Sequence, residues 1–175
     1  MAVLDLVFKR WPYVALAVSA AMLAIAHAFQ TFGHLPPCHL CLKQREVYWA
    51  AMAVSAVAIA ASLTRVGAPA PRIASLILAV VFGYGAYLAI FHAGAEWKWW
   101  PAPAGCASSG PVGAADLKAM LSGVAKGHFV ACDVAPWSFL GLSMAGWNAV
   151  ASVGLVGLSL TAAARQNASS RGSAA

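Results

Sequence analysis

Four long apolar runs decide most of what this chain can become. Residues 13–32, 44–63, 73–92 and 137–161 each match or exceed the roughly 20 residues that carry a helix across a hydrocarbon core of about 30 Å. Lipid offers the backbone no hydrogen-bond partners, so runs of this kind imply helices rather than open strands. A chain with 62% hydrophobic residues, 9% charged residues and a mean hydropathy of +0.76 is also excluded from the ordinary soluble class. The expectation is an all-α membrane protein: a four-transmembrane-helix bundle forming a single domain over residues 1–164, followed by a small, polar tail, 165–175, expected to be disordered and cytoplasmic.

The net charge of +6 is not gathered into one patch, which argues against a nucleic-acid surface. The basic residues sort by side instead. Lys9 and Arg10 precede the first run, Arg65 and Arg72 fill the short second connection, and Arg165 and Arg171 follow the fourth. The positive-inside rule puts all three groups, and both termini, in the cytoplasm. The long connection 93–136 carries Glu96, Lys98, Asp116, Lys118, Lys126 and Asp133, whose charges offset one another, so it belongs on the opposite side. A competing expectation makes the N-terminus a signal peptide, with "KRWPY" as its basic start and "AHA" at 26–28 as its cleavage site. Cleavage would leave three spans with the same loop outside.

All four cysteines, Cys38, Cys41, Cys106 and Cys132, fall in or beside the two connections assigned to the outside. Disulfides persist on that side, and an even count points to two bridges. Three pairings are possible. Cys38 with Cys41 and Cys106 with Cys132 is the most economical for two separate loops. A bridge across C-x-x-C closes too short a loop to be a useful staple, whereas the spacing recurs in redox pairs and in half of many zinc sites. Zinc would need His34 and His39 as further ligands, and the other two cysteines form no second close pair.

Placement favours redox chemistry. Pro36 and Pro37 stop the preceding helix, and Pro37 suits an early position in the next, where its missing N–H is harmless. Cys38 and Cys41 then lie near a helix N-terminus, whose free N–H groups and dipole favour thiolate over thiol. If the helix begins at Cys38, then Cys38, Cys41 and Arg45 share one face. His92 closes the third run at the same level, where a titratable ring can handle protons or bond a ligand. His27 is placed similarly, which raises a bis-imidazole haem as a rival; a Cys/His metal- or haem-binding membrane protein is therefore the alternative function. Within the outer loop, Leu117, Met120, Leu121 and Val124 recur at helical spacing, which predicts a short amphipathic helix. Trp97, Trp99 and Trp100 mark a membrane interface.

Several segments together resemble one known family. "CHLCLKQR" opens the second run, "AYLAIFH" ends the third, "GC" stands at Gly105 and Cys106, and Cys132 is followed by "PWSFLGLSMAGWN". In layout and motif these are similar to the bacterial disulfide-bond formation protein B (DsbB) family. Lys43 and Gln44 depart from it, standing where apolar or aromatic residues are usual. The resemblance implies a membrane thiol:quinone oxidoreductase that reoxidises a periplasmic thiol oxidase of the DsbA type and passes two electrons to ubiquinone or menaquinone. It implies that Cys106 forms the mixed disulfide with the partner, that Cys132 is its loop mate, that Cys38 exchanges with the loop pair, and that Cys41 is the thiolate facing the quinone. Arg45 would stabilise that thiolate and bind a quinone carbonyl, with His92 nearby. The location implied is the bacterial inner membrane, with the redox loops in the periplasm. A DsbA-type couple lies near about −120 mV, far above structural disulfides at below about −300 mV, so its reoxidation calls for a strong terminal acceptor.

Overall fold

The structure, a computed structural model, describes residues 2–63, 70–103, 106 and 131–172. Five helices and one hairpin make up the described residues: α1 (Ala2–Lys9), α2 (Trp11–Thr31), α3 (His39–Ser62), α4 (Ala70–Glu96), β1 (Ser138–Phe139), β2 (Leu142–Ser143) and α5 (Met144–Gly172). Pro12 sits in the first turn of α2, where it costs no hydrogen bond.

Trp11–Thr31, Pro71–Glu96 and Met144–Asn167 are long and apolar enough to cross a membrane. At 24 residues α3 reaches about 36 Å, long enough to span, but Lys43, Arg45 and Glu46 make its first turns polar. Packing follows membrane logic. Ser19, Ser55, Ser75, Ser152 and Ser159 are buried together with Ala15, Ala51, Ala89 and Ala162, while Val57, Val80, Val150 and Val153 face outward. Small residues inside and large apolar ones outside let helix backbones approach closely in lipid. At Gly85 a Cβ would meet the Val47 side chain at 2.9 Å, so glycine there permits the close α3–α4 contact.

α4 packs most extensively on α5, and α3 lies between α4 and α2. α2 and α5 meet only sparsely. Trp11 Nε1 donates to Ser159 Oγ at 3.0 Å, and Phe29 packs on Trp137 with ring centroids 5.1 Å apart. Near Trp11, α1 closes the base: Arg165 pairs with Asp5 at 2.5 Å and Gln166 Nε2 donates to the Phe8 carbonyl at 2.8 Å. The N-terminal helix and the far part of α5 thus share one end of the bundle.

Three expectations need correction. The run expected at 137–161 becomes helical only at Met144, because Leu140 (φ 51°) and Gly141 (φ 78°) form a two-residue turn that pairs Ser138 with Ser143 and Phe139 with Leu142. Positive φ at both central residues matches the twist of a tight hairpin. The tail expected to be disordered from 165 continues as helix to Gly172. α3 begins at His39, so Pro37 precedes the helix rather than entering it. The amphipathic helix expected in the outer loop, and Arg65, lie outside the described residues.

Candidate thiol site

Cys38 is the N-cap of α3. Its backbone is extended, and its Sγ accepts the Cys41 N–H at 3.2 Å, satisfying one of the helix's free donors in the way a capping oxygen would. Cys38 therefore stands just off the helix, Cys41 in its first turn and Arg45 one turn further on. The two sulfurs are 2.8 Å apart and both are free thiols. The hydrogen bond with Cys41, and then burial, hold the proton on Cys38 and push its pKa up. Receiving that same hydrogen bond lowers Cys41, and the Arg45 charge adds to the effect. The pair at the mouth of α3 thus has one thiol that keeps its proton and one that gives it up readily.

Cys106 and Cys132 are joined by a disulfide with Cα atoms 5.3 Å apart. Cys38, Leu40, Cys106 and Cys132 form one buried cluster, with Cys41 and Phe91 packed against it. Lys98 holds the chain just after Cys132: its ammonium donates to the Asp133 carbonyl at 2.9 Å and to Oδ2 at 2.7 Å. Trp100 lies over Gly94, where any Cβ would collide with the indole, and donates to the Phe91 carbonyl at 2.8 Å.

A continuous polar chain leaves the thiols. His92 Nε2 is 3.7 Å from Cys38 Sγ and 3.7 Å from Glu96 Oε1. On the other side of the ring, Gln44 Nε2 lies 2.9 Å from Nδ1. Asn148 Nδ2 donates to Gln44 Oε1 at 2.5 Å, and Tyr48 donates to Asn148 Oδ1. These donations run in one direction, which fixes the amide of Gln44 and leaves Nδ1 as an acceptor. The neutral ring then carries its proton on Nε2, the atom facing both Cys38 and Glu96. Glu96 in turn accepts from Ser143 Oγ.

Between α2 and α5 lies a cleft of about 500 Å³, a volume within the range of small-molecule sites. Met22, Leu23, Ile25 and Phe29 of α2 form one wall, and Trp137, Phe139, Trp147 and Ala151 the other. Cys41, Gln44, Arg45, Tyr48, His92 and Asn148 reach it as well. Arg45 is tied to Gln30 Oε1 at 2.6 Å and to the Ala26 carbonyl at 3.1 Å. These bonds to α2 hold the half-buried guanidinium at the mouth of the cleft.

Cys38, Cys41, Arg45, His92, Cys106 and Cys132 therefore lie together at one end of the bundle, opposite the α1–α5 contacts. His27 and His39 do not join it. His27 bonds the Leu23 carbonyl of its own helix at 2.7 Å, and His34 and His39 are exposed. Gln44 stood out in the sequence as a departure from the family pattern, whereas Tyr48, Asn148, Glu96 and Ser143 were missed as site residues. Their signal was available: polar side chains at this depth in apolar runs are costly unless they have a task.

A helical membrane protein whose two cysteine pairs pack against each other beside an apolar cleft is built for thiol–disulfide exchange at the membrane boundary. The sequence comparisons narrow that class. The chain matches the family described as "Disulfide bond formation protein DsbB" over residues 8–162, and it belongs to that family. It is 34% identical to the disulfide bond formation protein B of Methylococcus capsulatus over 151 residues, covering 81% of this chain and 85% of that protein. It is 32% identical to the protein of the same name from Polaromonas sp. over 145 residues, covering 78% and 82%. No solved structure gives a significant match. The chain is thus a membrane oxidoreductase of disulfide bond formation.

Proposed function

We propose that the protein reoxidises a periplasmic thiol oxidase of the DsbA type and delivers the electrons to a membrane quinone. It would do so in the inner membrane, with α3 as the fourth span, both termini cytoplasmic and all four cysteines on the periplasmic side. One observation carries this reading: Cys38 and Cys41, 2.8 Å apart, pack on the Cys106–Cys132 disulfide while Cys41 and Arg45 reach an apolar cleft.

The residue roles are those the family resemblance implies, and the packing of the two pairs supports them. Cys106 takes the partner's thiol as a mixed disulfide, and Cys132 leaves as a thiolate. With the inner pair in its disulfide form, Cys132 attacks Cys38 in the same buried cluster, the Cys38–Cys41 bond breaks and Cys41 departs as the thiolate its surroundings favour. Once the partner's second thiol has displaced Cys106, Cys106 attacks Cys132, which restores the loop disulfide and leaves Cys38 and Cys41 reduced. The cleft suits a quinone: apolar walls for ring and tail, a gap between α2 and α5, and the Arg45 guanidinium at the polar end for a carbonyl oxygen. A bound quinone supplies an acceptor for two electrons and two protons. Gln44 and Asn148 hold His92 in one tautomer, and Arg45 holds negative charge at Cys41.

The metal alternative has a geometric basis, since ligand atoms of Cys38, Cys41 and His92 lie within 4.8 Å of one another. Two thiolates on one tetrahedral zinc at about 2.3 Å would stand about 3.8 Å apart. The observed sulfurs are closer and suit disulfide closure instead. A test is purified protein with a reduced DsbA-type partner and ubiquinone or menaquinone: partner thiols should disappear in step with quinone reduction. Partner oxidation that proceeds equally without quinone would refute the proposal.

A further inference from the structure

The carboxyl of Glu96 has no part in the roles above, yet it is among the most deeply placed charged groups of the site. Its side chain is 4% exposed, and its Oε1 lies 3.7 Å from the His92 Nε2 that also faces Cys38. Among the described residues its polar partners are Ser143 and His92. Neither carries a fixed positive charge.

The other titratable groups nearby are accounted for. Cys38 and Cys41 face it from the start of α3, and Arg45, further along α3, is bound to α2. From the loop side, Cys132 presents backbone to His92, and Asp133 is paired with Lys98. Tyr48 is turned toward Asn148 and Ser152. A buried carboxylate this close to the half-buried Cys41 thiolate, with only the neutral imidazole and the Cys38 thiol between them, is strongly disfavoured. One of the two must hold a proton.

We propose that Glu96 is the proton partner of the Cys38–Cys41 pair: it is protonated while the pair is reduced with Cys41 as thiolate, and ionised once the pair has closed to a disulfide. This rests on the quinone reading of the site. The balance closes without solvent. Cys38–SH, Cys41–S⁻ and Glu96–COOH together lose two electrons and two protons, forming one S–S bond and leaving Glu96–COO⁻; a quinone reduced to hydroquinone takes up the same number of each. The net charge of the thiol site is −1 before and after, so no charge has to enter or leave a low-dielectric region during turnover. Glu96 acts through His92, whose Nε2 lies 3.7 Å from both the Cys38 sulfur and the Glu96 carboxyl and whose ring also meets the Cys132 backbone.

The test uses quinone-free full-length protein with Cys106→Ser and Cys132→Ser, so that only the inner pair is redox-active. An infrared difference spectrum, reduced minus oxidised, should gain a protonated-carboxyl band that is lost in Glu96→Gln. The chain contains only two glutamates, Glu46 and Glu96, and Glu46 is exposed and paired with Lys43. Glutamate-specific ¹³C labelling therefore assigns the band without any change at Glu96, should Glu96→Gln fail to fold. A spectrum with no labelled carboxyl band overturns the proposal. The alkylation rate of Cys41 against pH gives an independent readout. With Glu96 present, two coupled sites sharing a proton produce two steps separated by a plateau; Glu96→Gln leaves one step, and Glu96→Asp restores two. Identical single-step profiles would count against the proposal. Because neither measurement contains a quinone, failure here is separate from failure of quinone-dependent turnover.

Discussion

The two cysteine pairs are built on opposite principles. Cys38 and Cys41 are three residues apart, fixed by a helix cap, and surrounded by His92, Arg45 and a directional chain of amides. Cys106 and Cys132 are separated by 26 residues and are held to the bundle by packing and by Lys98. The inner pair has the means to set which sulfur ionises. The loop pair spans a long stretch of chain instead, and on the proposed reading it is the pair that meets the soluble partner. Electrostatic tuning needs rigid neighbours and partner exchange needs reach, so one pair cannot do both well.

If that division holds, the sharpest break is Cys41→Ser. Transfer to quinone should fall to background, while the mixed disulfide between Cys106 and a DsbA-type partner still forms and is visible by non-reducing electrophoresis. Loss of both would mean that the pairs are not separable. Arg45→Met is next in size. With the cation gone, Cys41 loses part of what holds its thiolate, and quinone turnover should drop by about tenfold to a hundredfold. Exchange at Cys106 stays within about twofold on the same ground of separability, measured as the rate of partner oxidation in a single turnover. The pH profile of Cys41 alkylation shows the same effect. Because its pKa is lowered, the wild-type thiol reacts at pH values where an ordinary cysteine is protonated, and Arg45→Met moves that reactivity to higher pH.

The division was only partly legible in the sequence. Hydropathy and charge placed the helices and their two ends because lipid leaves the backbone so few options, and spacing put the cysteines beside Arg45 and His92. The cap escaped, since a proline pair allows a helix to begin at either of two neighbouring residues and only the backbone conformation of Cys38 decides. The hairpin at 138–143 escaped because "SFLGLS" is as apolar as a span; its turn depends on a left-handed Leu140 that no propensity would choose. Glu96 was counted among loop charges because it sits at the end of an apolar run. Its burial arises from α5 and Ser143, which are distant in sequence.

Gln44→Leu sharpens the comparison from the inner side. The change strips a donor from His92 Nδ1 and an acceptor from Asn148, leaving buried polar groups unpaired at a cost of about 1–3 kcal/mol. A lower thermal midpoint is expected, together with altered pH dependence at Cys38, because His92 is no longer confined to one tautomer. The Cys106–Cys132 disulfide should form as before, as read by thiol counting under denaturing conditions. Equal damage to both pairs would show that the amide chain supports the whole end of the bundle rather than the inner site.

Lys98→Met probes the loop side and should have the smallest effect. The Lys98 side chain is 63% exposed while the Asp133 side chain is 8% exposed, so solvent screens much of the pair, and such contacts contribute up to about 1 kcal/mol. The ammonium also bonds the Asp133 carbonyl, which fixes the backbone directly after Cys132. Methionine keeps most of the apolar stem and removes both bonds. Thermal stability should then change little, whereas electron transfer from the loop pair to Cys38 slows by less than about tenfold, since Cys132 is within the buried cluster for a smaller fraction of the time. Rapid-quench alkylation after mixing with reduced partner separates this step from quinone reduction. An unchanged transfer rate would show that packing against Leu40 and Phe91 alone returns the loop to the inner pair.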